Sequence, residues 1–225
     1  MINGGLIVGQ GLTKANGMFK VFFFVLSYLS VLVFSGRLLP KLKIDFITNN
    51  LTFFTYAIVF LLAIILFPTQ IFNAFGKMRK AQFTLLFSVG AITFAAEVLA
   101  GILVSIFNID NLNQSGIDSA RMCNTFLLNL TIILLAPVSE EIMYRLCLFS
   151  LFPSHKAIAY IVSIALFAFM HVWNFVIIDG NITQIFTTLP YIALGAGLCF
   201  LFDKTDNIGI PIMLHMIINT ISVIC

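Results

Sequence analysis

The chain has 225 residues, 60% of them hydrophobic and only 9% charged, with 25 Phe, whereas a soluble domain carries roughly 25% charged residues. This is the composition of an integral membrane protein. A formal net charge of +3, scattered along the chain, supplies neither the basic patch that nucleic acid requires nor a basic lipid-surface helix, so nucleic acid is not expected as a partner.

The N-terminal stretch "MINGGLIVGQGLTKANG" places its lysines after a short apolar segment and has no small-residue cleavage site. No removable signal peptide is read there, and the first helix is expected to anchor the chain permanently. At roughly 20 apolar residues per crossing, the pattern predicts about seven spans, near 18–36, 51–75, 82–107, 122–150, 157–178, 184–202 and 208–224. The expected fold is all-α, a polytopic transmembrane helix bundle. Compact polar breaks separate the spans, among them "GKMRK" at 76–80, "NIDNLNQSGIDSAR" at 108–121 and "DKTDN" at 203–207. None has room for a second domain, and no repeat is visible. Pro68 and Pro137 are expected to end or kink helices, Pro137 widening the interior. Ala193 and Gly197, four residues apart, suit close helix contact, and the abundant Phe most simply faces lipid.

Basic residues in the loops set the expected orientation. With the N-terminus inside, one face receives Lys14, Lys20, Lys77, Arg79, Lys80, Lys156 and Lys204, and the other Arg37, Lys41, Lys43 and Arg121. The N-terminus is therefore expected in the cytosol, the protein in the cell (plasma) membrane, and the C-terminal half of the fourth span toward the cytosolic side. Cys123, Cys147, Cys199 and Cys225 form no CxxC pair and read as buried thiols. The terminal Ser-Val-Ile-Cys has its cysteine last rather than fourth from the end, so the chain is not itself a prenylation substrate by that rule.

The fourth span contains "APVSEEIMYRL", with two of the chain's nine acidic residues side by side. A carboxylate at membrane depth is costly unless paired or facing a polar cavity. Glu141 and Arg145 are four apart and can pair on a helix, while Glu140 points about 100° away with Tyr144 one turn beyond. On these residues alone two readings stand: a salt-bridge cluster that fixes packing, or one neutralised and one working carboxylate. His155 lies in a loop, but His171 ("FAFMHVW") and His215 ("PIMLHMIIN") fall within spans, and Asn219 shares a helix face with His215. A lone membrane histidine is more often a hydrogen-bonded packing residue than a catalyst. Three spans nevertheless each offer polar groups to a common interior. Glu97, in "TFAAEVLAG", is a further carboxylate within a span, read as a hydrogen-bonded packing or cavity-lining residue.

The ordered set EExxxR (Glu140, Glu141, Arg145), FxxxH (Phe167, His171) and HxxxN (His215, Asn219) resembles the three motifs of the CPBP family. That family comprises the CAAX proteases and bacteriocin-processing enzymes, is also called the Abi family of intramembrane proteases, and includes the type II CAAX prenyl endopeptidases. Each motif alone is weak; all three, ordered and membrane-embedded, are specific. The resemblance covers about residues 121–223. It divides the chain into N-terminal helices without a match (1–120) and a protease core (121–225) within one integral domain. Leu146 stands where many members have glycine.

The resemblance implies an intramembrane endopeptidase acting on a membrane-anchored, hydrophobic or lipidated peptide, with membrane lipid around it. Glu140 would act as general base with His171 holding the same water, and His215 and Asn219 would donate to the oxyanion. Glu141 and Arg145 would hold the helix, and Tyr144 and Phe167 would support the pocket. Glu140, His171 and His215 also form a formal Glu/His/His set for Zn²⁺, and members are often labelled metalloproteases. With no HExxH pair, glutamate-activated water is the favoured reading, without a cofactor, and zinc the alternative. Ser139 lacks a GxSxG context and the cysteines have no neighbouring histidine, so nucleophilic catalysis is not expected. Other classes are a non-catalytic immunity or signalling partner that keeps the fold, a small proton-relaying transporter, and an enzyme that confers immunity by cleavage. A prenylated cysteine, a bacteriocin leader, a signalling peptide and a membrane-protein tail would all need the same site.

Overall fold

The computed structural model describes residues 15–76, 78–121 and 125–224. The N-terminal stretch with Lys14, and Lys77, Cys123, Cys225 and the side chain of Arg121, lie outside the described residues. Every described element is helical: α1 (Ala15–Leu38), α2 (Asp45–Asn49), α3 (Leu51–Leu66), α4 (Pro68–Gly76), α5 (Lys80–Ile106), α6 (Leu112–Arg121), α7 (Thr125–Leu151), α8 (Lys156–Met170), α9 (Thr188–Thr205) and α10 (Gly209–Ile224). The helices fall where the apolar runs place them.

The polytopic helix bundle is as expected, and two of the expected span boundaries shift. Four helical stretches are long and apolar enough to cross a membrane, Asn16–Leu42, Lys80–Ile106, Thr125–Leu151 and Ile182–Thr205, and a fifth is counted if α3 and α4 form one bent span. The α3–α4 pair bends by 83° at Phe67, because Pro68 has no N–H to continue the ladder and its ring clashes with the preceding turn. The predicted span 157–178 stops at Met170, where α8 ends, and a separate π-helical turn covers Asn174–Ile178. This leaves α8 and α10 as apolar helices of 15 and 16 residues.

The α7 helix runs through the middle of the bundle, and from Leu135 to Ser150 its residues are buried. Phe24, Phe67, Phe149, Phe167 and Phe202 belong to the core, while Phe19, Phe22, Phe72, Phe87, Phe126 and others are exposed on the lipid-facing outside. The α5 and α9 helices make the most extensive helix pair. Gly197 faces Thr93 so closely that a Cβ there would run into the Thr93 side chain, the small-residue contact that "YIALGAGL" suggests.

Hydrogen bonds sort the loops onto two ends. Lys20 Nζ reaches Leu66 O, Gln82 Nε2 reaches Thr205 O, and Asn207 Nδ2 reaches Ala74 O. One end therefore carries the α3–α5 and α9–α10 links together with Lys20, Arg79, Lys80, Lys156 and Lys204. Gln184 donates to Asp110 O and accepts from Leu112 N, so the segments after α5 and before α9 share the opposite end, where α1 finishes with Arg37, Lys41 and Lys43.

A Gly197→Ala substitution is expected to overpack α5 against α9, at about 1–3 kcal/mol of stability. A lowered thermal midpoint in detergent that Thr93→Ala partly restores in the double variant checks this, and a neutral single substitution would contradict it.

Candidate active site

Both glutamates sit at the end of a short regular stretch of α7, Ala136–Glu141, between two π-helical turns, Thr131–Leu135 and Ile142–Leu148. Such turns are common at functional sites because the extra residue re-aims the side chains that follow. Pro137 explains the first one. Ala136 N–H donates to Thr131 O, so the next bond in that register would run from residue 137 to Ile132 O, and proline has no N–H to give. Asn219 Nδ2 supplies the missing donor from α10, at 2.8 Å from Ile132 O. Of the two outcomes expected at Pro137, an end or a kink, the helix does not end there; the proline leaves a carbonyl open for Asn219.

The charge pattern is asymmetric. Arg145, Glu141 and the interior around them are fully buried. Glu141 Oε1 accepts from Arg145 Nη1 at 2.9 Å and from His215 Nδ1 at 2.9 Å. The guanidinium also donates through Nη2 to Gly195 O at 3.2 Å and stands 4.5 Å over the Phe167 ring. Glu140 has no arginine or lysine partner among the described residues. It accepts a 2.9 Å hydrogen bond from Tyr56 OH on α3, and its other oxygen is 3.8 Å from His215 Nε2. The expectation that Glu140 is left without any partner is therefore corrected, because a tyrosine from the unmatched half of the chain orients it.

His171 caps the end of α8, and its Nδ1 donates to Phe167 O at 2.8 Å, which leaves Nε2 as the lone-pair nitrogen. Its ring stacks on Tyr191, with centroids 4.1 Å apart and planes 18° apart. Tyr191 OH is in turn held by Asn111 and Asn113 of the α6 region. Phe167 has three duties: its carbonyl fixes His171, and its ring packs under Arg145 and edge-on to His215. Tyr144 packs between Tyr28 and Phe167, and Leu146 is buried in the core.

Glu140, His171, His215 and Asn219 all line one cavity of about 450 Å³, together with Tyr56, Glu97 and Tyr191. Its walls come from the start of α3, the end of α5, the α6 segment, the end of α8, the start of α9 and the end of α10. These belong to the end that carries Arg37, Lys41 and Lys43. A cytosolic N-terminus and a cavity on the cytosolic side therefore exclude each other, since the cavity occupies the half opposite Lys20, Lys80 and Lys156. No three His, Cys, Asp or Glu side chains among the described residues are grouped so as to hold a metal ion, and Glu140, His171 and His215 are not such a group. Ser139 Oγ is spent on Leu135 O, and Cys147 and Cys199 are buried free thiols. His155 is exposed at the start of α8.

Sequence reasoning missed Tyr56 and Tyr191. The available signal was the tyrosine hydroxyl itself: in a chain with 25 Phe and five Tyr, a Tyr inside an apolar span marks a place where a hydroxyl is needed.

Asn219→Ala is expected to leave Ile132 O without its donor, a loss of about 1–3 kcal/mol. In a Pro137→Ala background residue 137 regains an N–H, so the same substitution should cost less. A thermal-stability double-mutant cycle with no coupling between the two positions would show that they act independently.

The family model described as "Type II CAAX prenyl endopeptidase Rce1-like" matches residues 122–221. No curated protein and no solved structure matches the chain. The matched segment runs from α7 to α10 and contains EExxxR, FxxxH and HxxxN in order. The chain is thus a multi-pass membrane protein whose residues 122–221 are similar to the type II CAAX prenyl endopeptidase Rce1-like family.

Proposed function

We propose that the protein is an intramembrane endopeptidase that hydrolyses a peptide bond in a membrane-associated or lipidated peptide, with Glu140 as the general base. The observation that carries this reading is the division between two adjacent carboxylates. Glu141 is consumed by Arg145 and His215 in the buried interior, while Glu140 faces the cavity, steadied by one neutral hydroxyl. A cavity of about 450 Å³ is within the roughly 300–1,000 Å³ usual for ligand sites.

Water held between Glu140 and the lone pair of His171 Nε2 gives a proton to the Glu140 carboxylate as its oxygen attacks the peptide carbonyl carbon. The carbonyl electron pair moves onto oxygen. That oxyanion is met by the second N–H of Asn219 Nδ2, whose first is fixed on Ile132 O, and by His215 Nε2–H. Because His215 Nδ1–H is given to Glu141, Nε2 carries a proton only in the imidazolium form, which would be the working form. The C–N bond then breaks and the leaving amine takes the proton from Glu140, so the products are a carboxylic acid end and an amine end. Every step uses side chains of this chain, without a metal ion. We place the protein in the cell membrane, where such a cavity meets peptides that are themselves membrane-anchored.

Glu140→Gln is expected to lower cleavage of a reporter peptide by at least roughly 10²–10⁴-fold while leaving the thermal midpoint near that of the unmutated protein. Glu141→Gln strips the buried guanidinium of its carboxylate, a loss on the order of 3–5 kcal/mol, and should lower stability and activity together. Undiminished cleavage by Glu140→Gln would transfer the assignment to a non-catalytic immunity or signalling partner.

Cleavage is further expected to survive exhaustive chelation, with no stoichiometric zinc in the purified protein. Loss on chelation that Zn²⁺ alone restores would reassign the site to a metallohydrolase.

A further inference from the structure

Glu97 lies within α5, nine residues before its end, and lines the same cavity as Glu140. It takes no part in the hydrolytic steps above. Its Oε2 is buried and has no hydrogen-bond partner among the described residues, so the packing reading in which it is hydrogen-bonded to a neighbouring helix is not what the structure contains. It shares the cavity lining with His215 and Tyr191, and Tyr191 connects in turn to Asn111 and Asn113 at the cavity wall.

An acidic side chain at this depth is costly unless something answers its charge or its hydrogen-bonding capacity. Two carboxylates, Glu97 and Glu140, line the cavity; among the described lining residues none is lysine or arginine. His215, the nearby basic group, already gives Nδ1–H to Glu141 and turns Nε2 toward Glu140. A peptide entering this space therefore meets, beside the reacting groups, a carboxyl group whose Oε2 has no hydrogen-bond partner among the described residues.

We propose that Glu97 is a specificity residue that receives a cationic group of the substrate, a lysine or arginine side chain close to the scissile bond. This rests on the proposed hydrolysis for its kinetic consequence, but not for its binding consequence. Opposite charges in a low-dielectric cavity attract strongly, and the aliphatic stem of a lysine packs against apolar walls while its ammonium reaches an acidic group. Glu97 then selects which peptide is held, and Glu140 acts on what has been held.

The test uses full-length protein in detergent and one hydrophobic reporter peptide, in which norleucine is replaced by lysine at each position flanking the cleaved bond in turn. Binding is read by fluorescence anisotropy on the Glu140→Gln protein, and cleavage on the unmutated protein. At one position lysine should be preferred over norleucine by about 10- to 100-fold, the usual range for a hydrogen bond to a charged group, and Glu97→Gln should bring that ratio to about one. Should Glu97→Gln fold poorly, labelling of Glu97 by a hydrophobic carbodiimide supplies the second measurement; the lysine peptide should protect it and the norleucine peptide should not. A ratio near one in the protein with Glu97 intact, or a preference that Glu97→Gln leaves in place, overturns the proposal. A Glu97-dependent binding preference without any cleavage upholds the subsite and sinks the endopeptidase reading, whereas cleavage without the preference does the reverse.

Discussion

The rest of the structure depends on a buried guanidinium. Arg145 is fully removed from solvent, and a charge in that position is costly unless it is paired; only the Arg145 Nε is without a hydrogen-bond partner among the described residues. It gets a carboxylate from its own helix, a backbone carbonyl from α9 and an aromatic face from α8. Each partner restricts something else. Glu141 must stay turned inward, so it can fix His215 as well. Gly195 leaves little room for a side chain, because a Cβ there would stand 3.1 Å from the Phe167 ring, which would have to give by a few tenths of an ångström. Phe167 must lie flat under the cation, and the same backbone turn then presents its carbonyl to His171. The three helices that deliver the cavity's polar groups are therefore registered against one another through one side chain that does not line the cavity.

The irregularity of α7 is the complementary feature. A regular helix satisfies its own backbone and offers nothing to neighbours, whereas the π-helical turn before Pro137 releases the Ile132 carbonyl. Asn219 reaches across from α10 to take it, which aligns α10 against α7 at the level of the glutamates. From α8, Ser163 donates to Tyr144 O in the second π-helical turn, a carbonyl that also accepts from Phe149 N–H. Backbone groups that would be a liability in hydrocarbon become the points at which the helices lock together.

How much of this was legible in the sequence follows from which interactions are local. Glu141 and Arg145 are one turn apart on a single helix, so their spacing announces the pair. The helix positions were equally plain, because apolar runs of this length leave few alternatives. His171, His215 and Asn219 could be assigned to the same interior only as an ordered motif set, since nothing in their local spacing says that α8 and α10 face α7. Tyr56 was out of reach: it is separated from Glu140 by 84 residues, and a tyrosine in an apolar span has no periodicity that names its partner. The π-helical turn before Pro137 was hidden too, because its cause is a proline plus a distant asparagine. Two span boundaries went astray for a different reason, as hydropathy continues through the bend at Phe67 and beyond Met170 while the regular helix does not.

The short helices have a consequence for the surrounding bilayer. Tyr56, His171, His215 and Asn219 are carried by α3, α8 and α10, of 16, 15 and 16 residues, which at ~1.5 Å per residue extend only about 22–24 Å. The hydrocarbon core is about 30 Å thick. The 27-residue α5 on the same bundle is long enough to cross it with a tilt. The protein is therefore lopsided in hydrophobic thickness, and lipid next to the cavity must thin or let headgroups and water sink inward, at a cost that grows with each ångström of mismatch. Acyl-chain length in the host membrane thus acts directly on the hydration of this cavity, and the lipid annulus becomes part of the solvent in which the carboxylates work.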